Sequence, residues 1–461
     1  MLHRDTQVRL NIVCLRQCLR WLLAGICWRT IRFRNDCSWT PRSLMAAALL
    51  WAWSDEQTLT ERFFVVRKIL LCLDKEQQQL ATSYQAFIKI LRRWTKPLAA
   101  LLQSVLQQRM QATLTDCWLT AGYLVFAVDG SRLELPRTRS HEQAYSTIRH
   151  ARRVKNSRYK RRQAKDAKKV NSPQLWLTTM WHIGTGLPWD WRVGPGDSSE
   201  RVHLREMLTS LPAGALITAD GGFMGYEGLQ AIIKSGRHVL LRVGANVRLL
   251  KQLGYVREWT GTVYLWPDRE SKRGNEPLVL RLVVATDGKQ PVYLVTNILS
   301  RRELSDKQVI ALYARRWGIE LFYRHLKQTF HRRKLLSREA ENAKLEITWS
   351  LFGLWAMSLF ALVEAMKQGI TPAKLSFAKL LLAFRRTMRD YLHPTEKNER
   401  LCERLRQAII DSYKRANKTS RNYPRKKQAK PPGVPQLLTA TKTQALRAKQ
   451  IKPVLRKGLT A

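Results

Sequence analysis

The chain has 461 residues, with 81 Lys or Arg against 35 Asp or Glu, a formal net charge of +46. That length supports two or three domains with a sizeable core. Self-repulsion on this scale calls for a polyanion, nucleic acid first, although ribosomal RNA or an anionic membrane surface would meet the same arithmetic. The seven cysteines form no Cys-x2-Cys pair and no Cys/His cluster at zinc spacing, which argues against a disulfide framework or zinc module and for a reducing cytosol. Carboxylates are scarce, and one placed on a phosphate-binding surface would repel its ligand. Metal binding is one reason to keep it there.

Residues 1–118 read as a helical N-terminal region. Leu22 to Trp28 is an apolar run too short and too closely bracketed by Arg20 and Arg29 for a signal peptide, so a buried helix is expected. Helical patterns follow in SLMAAALLWAWS, LTERFFVVRKILLCL and SYQAFIKILRRW, interleaved with Arg29, Arg32, Arg34, Arg42, Arg67, Lys68, Arg92 and Arg93. Such a set suits a DNA-binding module or a helical scaffold whose arginines are merely solvated.

The texture changes at Tyr123, where a β-rich apolar run ends in Asp129-Gly-Ser. A carboxylate there is either a catalytic group at a strand edge or an ordinary turn Asp. Residues 149–169 hold one acid in a field of Arg and Lys, a loop that orders on phosphate or a solvated charge run. Two strands are expected in QLWLTTMWHIGTGLPWDWRVG, then a helix from Glu200 to Ser210. A second buried strand ends in Asp220-Gly-Gly-Phe, repeating the arrangement at Asp129, and the helix YEGLQAIIKS and strand HVLLRV follow. His182, His203 and His238 lack partners at metal-ligand spacing and read as structural or surface residues. Alternating β-rich segments over about 246–300 suggest a small β insertion.

Asp306 to Phe330 reads as one amphipathic helix with Ser305 as N-cap. With Glu320 at zero and about 100° per residue, Tyr313 falls near ~+20°, Arg316 near ~−40° and Lys327 near ~−20°, with Arg324 at the edge. A solvated face with i,i+4 pairing is the plain explanation. The uncharged run Ile347 to Val363 is long enough to tempt a membrane assignment, but its interior Ser350, Gly353 and Ser358 and flanking Glu346 and Glu364 favour a buried helix. Residues 346–415 form a C-terminal helical region, and 416–461 a basic, Pro-rich tail expected to be disordered without DNA.

The order Tyr313-x2-Arg316-x3-Glu320-x6-Lys327 resembles the signature helix of the insertion sequence 4 family of DDE transposases, enzymes of bacterial mobile elements. Asp129-Gly-Ser, Asp220-Gly-Gly-Phe and the later Arg242 support the likeness, which covers about residues 120–345 well. It implies an α/β, RNase H-like catalytic core over residues 119–345. It also implies catalysis and metal binding by Asp129, Asp220 and Glu320, with two Mg²⁺ ions for which Mn²⁺ can substitute. Asp129 would bridge both, with Asp220 and Glu320 each completing one side. Tyr313, Arg316, Arg324, Lys327 and Arg242 would contact DNA: Arg as a bidentate phosphate fork, Lys as a point charge, Tyr as an aromatic plane. Trp259 or Trp266 is the candidate to receive an unstacked base. The expected partners are the element's terminal inverted repeats and target DNA, bound by a homodimer in the nucleoid-associated cytoplasm, with no membrane. The expected activity is cut-and-paste transposition through a hairpin. The rivals are an inactive DNA-binding regulator, a membrane-anchored protein and a stand-alone nuclease.

Overall fold

The computed structural model describes residues 15–73, 80–146, 172–286, 290–393, 399–410 and 433–451. The charge run at 149–169 lies outside them. Ten strands form one mixed sheet: β1 Val125–Glu134, β2 Gln174–His182, β3 Leu187–Pro195, β4 Leu216–Ala219, β5 His238–Val243, β6 Arg248–Lys251, β7 Thr262–Leu265, β8 Leu278–Ala285, β9 Val292–Thr296 and β10 Gln436–Thr439. Their spatial order is β10-β6-β7-β8-β9-β5-β4-β1-β2-β3. β1, β4 and β5 run parallel, whereas β2 and β3 pair antiparallel on one side and β9 pairs antiparallel on the other. Four buried residues in β4 and a buried run at the start of β1 account for the near-continuous apolar character of these central strands.

The β-rich segment expected between the HVLLRV strand and the Glu320 helix extends the same sheet through β6 to β9. β6 was not distinguished in the sequence, because four residues carry too little periodicity. The tail corrects one expectation. Part of it is ordered: β10 adds in parallel to the edge of β6, and a helix, Lys442–Ile451, follows.

Helices flank the sheet. Pro41–Trp53 starts from a capping box in which Thr40 accepts from the Ser43 backbone and Ser43 answers, with Pro41 at the first turn. Tyr84–Thr113 is far longer than its clearest apolar pattern suggested, and contains Pro97. Both pack on Ala340–Met366, the helix containing the uncharged run. Trp53 Nε1 donates to Gly353 O at 2.7 Å, and Trp349 Nε1 to Thr95 Oγ1 at 2.9 Å. A Cβ on Gly353 would stand 2.8 Å from Ala52 Cβ, so the glycine permits this close crossing. The apolar run is therefore buried in the protein's own core, as expected. Glu346 is buried there too, its carboxylate accepting from the Leu336 and Ser337 backbone and the Ser337 hydroxyl.

Candidate functional site

Strand register brings the first two carboxylates together. Ala127 pairs with Thr218, and Ala219 with Leu241. Continued past the end of β4, where Asp220 keeps extended dihedrals, that register sets Asp129, Asp220 and Arg242 abreast on three neighbouring strands. Side chains level with one another on adjacent strands share a face. Asp220 Oδ1 accepts from Gly222 N at 2.8 Å, capping the single turn Gly221–Phe223 that follows β4.

The Glu320 helix packs on this face, but it is not continuous. It comprises Asp306–Arg315, Gly318–Arg324 and a π turn, His325–Thr329. Between the first two, Arg316 N bonds Tyr313 O, Ile319 N bonds Arg316 O and Glu320 N bonds Trp317 O, so the chain tightens to i→i−3 bonding. The cause is packing: a Cβ on Gly318 would lie 2.1 Å from Trp181 Cη2, so the helix rests its glycine directly on that indole. The uniform wheel used for the sequence does not hold across this step. Its main consequence survives, for Arg316 Nη2 reaches Glu320 Oε1 at 3.4 Å and its guanidinium sits 5.4 Å from the Tyr313 ring centre.

Tyr313 Oη, Arg316 Nε and Arg242 Nε are buried without a hydrogen-bond partner among the described residues. Polar groups left this way carry a desolvation cost that an anionic ligand would offset. Lys327 is half-buried near Asp129, and burial, then Arg333, lower its pKa while Glu134 and Asp129 oppose the shift. Arg324 is exposed at the helix edge.

Burial pushes the Asp129 carboxyl up to about 6; a backbone bond at Gly130 and the Arg316 charge oppose this, whereas Asp220 and Glu320 add to it. Hard oxygen donors under mutual repulsion have the right chemistry for a divalent cation. Among the described residues, however, no three acidic, His or Cys side chains close into a ready-made cage. The Asp220 and Glu320 charges act on Asp129, and Glu320 leans on Arg316 at 3.4 Å.

Two further residues join the site without any sequence signal. Tyr323 Oη donates to Asp129 O at 2.7 Å and accepts from Thr179 N at 3.1 Å, pinning the Glu320 helix to β1 and β2. Glu200, read only as a helix start, opens the helix Glu200–Met207 on the far side of Gly130. Its Oε1 lies 2.1 Å from where a Cβ on Gly130 would stand. The histidines behave as expected of structural residues: His203 Nδ1 shares a hydrogen bond with Thr178 Oγ1, and His182 with Thr185 and Trp118 O. Of the two candidate tryptophans, Trp266 is 3% exposed with its Nε1 bonded to Asn275 O, whereas Trp259 is 56% exposed.

The family described as Transposase DDE domain matches residues 120–355. A protein described as a candidate transposase for insertion sequence element IS4SA, from Synechocystis, is 23% identical over 217 residues, 46% of this chain and 60% of its own length. Transposase InsG for insertion sequence element IS4, from Escherichia coli, is 24% identical over 272 residues, 56% of this chain and 57% of its own. The matched region thus spans less than two thirds of each relative. A cryo-EM structure of piggyBac transposase in a synaptic complex with hairpin DNA aligns over 91% of this chain and 88% of that one, at 12% identity and a TM-score of 0.39, too low to establish a common fold. The family match covers half the chain and includes both strand-borne acids and the helix bearing Glu320; the chain belongs to the DDE transposases, within the insertion sequence 4 family.

Proposed function

We propose that this chain is a divalent-metal-dependent DNA transposase that excises and reinserts its own mobile element. The row Asp129–Asp220–Arg242 beneath the Tyr313, Arg316 and Glu320 side chains is the observation that carries this reading. The order β3-β2-β1-β4-β5, with β1, β4 and β5 parallel and the first two antiparallel, supports an RNase H-like core with residues 119–345 as the catalytic region.

Asp129, Asp220 and Glu320 would hold two Mg²⁺ ions, or Mn²⁺ in their place, since their oxygens are hard ligands that leave room for water and phosphate. When bound, such a pair stabilises the attacking and leaving oxygens of a phosphodiester displacement. The protein's own part is to hold the strand in line. Arg316 and Arg242 present unpaired guanidinium N–H groups to phosphate oxygens, Tyr313 offers a hydroxyl and an aromatic edge, and Lys327 and Arg324 add positive charge along the backbone path. Hydrolysis at each element end frees a 3′-hydroxyl, which attacks the phosphodiester of the opposite strand; the flanking DNA leaves with its own 3′-hydroxyl, the element end closes as a hairpin, and water later reopens it. Reopening the hairpin then permits strand transfer. Trp259, exposed between β6 and β7, is the better placed to stack on an unpaired base.

The reaction joins two ends, so a homodimer on the terminal inverted repeats is part of the proposal, as is a nucleoid-associated cytoplasmic location. Purified protein incubated with DNA bearing the element's flanking repeats should nick it in Mg²⁺ and not in EDTA. Asp129→Ala, if folded, should reduce cleavage at least about a thousandfold, consistent with loss of a group acting on the transition state. Equal cleavage by the variant overturns the mechanism. Binding that survives EDTA, with no cleavage in Mg²⁺, would indicate a DNA-binding regulator instead.

A further inference from the structure

Gly130 follows the first carboxylate, and its backbone gives no reason for a glycine. It lies within β1, paired with Thr178, and its φ is not in the left-handed region. What requires glycine is space. A Cβ there would stand 2.1 Å from Glu200 Oε1 and 2.7 Å from Trp176 Cζ2, so the missing side chain is the room into which Glu200 reaches.

The helix carrying Glu200 is held at both ends of this notch. His203, one turn on, is bonded to Thr178 on β2 at 2.8 Å. Arg201 Nε donates at 2.7 Å to Gly222 O, in the turn capped by Asp220. Consecutive residues therefore reach the backbone next to each strand-borne acid: Glu200 fills the space over Gly130, the residue after Asp129, and Arg201 binds the turn that Asp220 caps. Although the chain carries 81 Lys and Arg, the Glu200 carboxylate makes no ion pair or hydrogen bond among the described residues. Burial, followed by the charges of Asp129 and Asp220, raises its pKa to about 7. The charges of Arg132 and Arg201 oppose that rise without cancelling it. A half-buried carboxylate set against two others costs folding free energy, and sites that bear such a cost are enriched in function.

We propose that Glu200 is a positioning residue of the site, a fourth carboxylate whose charge strengthens the hold of Asp129 and Asp220 on divalent cations. The proposal rests on the metal-dependent reading above. Its structural rival is simple: an acid in the first turn of a helix is stabilised by the helix dipole and needs no other purpose.

Thermal unfolding of the full chain without DNA, titrated with Mn²⁺ from an EDTA-treated start, separates the possibilities. Glu200→Gln keeps the shape and removes the charge. It should leave the melting temperature in EDTA unchanged or higher, yet need about tenfold more Mn²⁺ for half of the wild-type stabilisation. At limiting Mn²⁺ its cleavage rate should fall about tenfold below wild type and rise again as Mn²⁺ is added, because the group acts on metal occupancy rather than on the reacting atoms. Glu206→Gln, an equal charge change farther along the same helix, should titrate like wild type. A Glu200→Gln protein that melts lower in EDTA, or keeps the wild-type Mn²⁺ midpoint while Asp129→Asn loses its response, overturns this proposal alone. An Asp129→Asn protein with the full Mn²⁺ response, or a wild type with none, overturns the reading beneath it.

Discussion

Asp129 sits half-buried at the end of the apolar run of β1, and burial is the main reason its carboxyl is raised to about 6. The raised value means that the folded state resists ionisation more than the unfolded chain does. Its contribution to stability is therefore fully present below the ordinary value of 3.8 and is lost as pH rises through about 6. In EDTA, Asp129→Asn should melt higher than wild type at pH 8, by on the order of 1 kcal/mol or ~2 °C, with the advantage gone at pH 4. A pH series of melting curves checks it. Asp129 and Asp220 were legible as site candidates because each follows a buried apolar run and precedes glycine, although only Asp220 lies at a strand end: β1 runs on through Asp129 to Glu134. The reason for Gly130 was not legible, since a turn glycine and a space-making glycine look alike in sequence. Tyr323 and Glu200 were invisible for a related reason: their contacts cross from helices to β1 and β2, and no local spacing encodes them.

The Glu320 helix shows what periodicity can and cannot deliver. Its N-cap, Ser305, and its apolar stripe were readable, and they correctly placed a helix with Tyr313, Arg316 and Glu320 near one another; the answering half of the capping box, Gln308, was not read. The step at Arg316–Gly318 was not readable, because it depends on Trp181, more than a hundred residues away. Gly318→Ala tests that dependence. In an unconstrained helix the change should stabilise by about 1 kcal/mol. Here the added methyl meets the indole, so a net loss of about 1–3 kcal/mol is expected, together with at least tenfold slower cleavage as Glu320, two residues on, is displaced. Melting curves and single-turnover cleavage at saturating Mg²⁺ read both. The β6 to β9 segment was recognised as β-rich, yet its joining the central sheet could not be foreseen. Whether β9 pairs with β5 or only with β8 is a matter of which edge is free.

At the scale of the molecule, the helical segments on either side of the sheet region meet around Ala340–Met366, and the sheet is finished by the chain's last described strand. The buried helix was legible from its interrupted apolar run and flanking acids. The ordered tail was not, because four residues without charge, Gln436–Thr439, are masked by the basic, Pro-rich stretch before them. β10 is held to β6 largely by backbone bonds, such as Gln436 N to Val247 O and Ala440 N to Lys251 O, with Arg248 Nε reaching Gln436 Oε1. Truncation after residue 432 should bare the β6 edge and cause self-association without DNA, measurable by light scattering against the full-length protein.

That last pairing also sets a timetable. β6 emerges near the middle of the chain, but the strand that covers it is made only after the whole helical region of the second half. During synthesis, the open edge must wait on the ribosome for roughly ten seconds or more at ordinary elongation rates, a window in which a neighbouring nascent chain could pair with it first. Slower translation between the two strands should therefore lower the yield of monomeric protein, whatever the finished fold's stability.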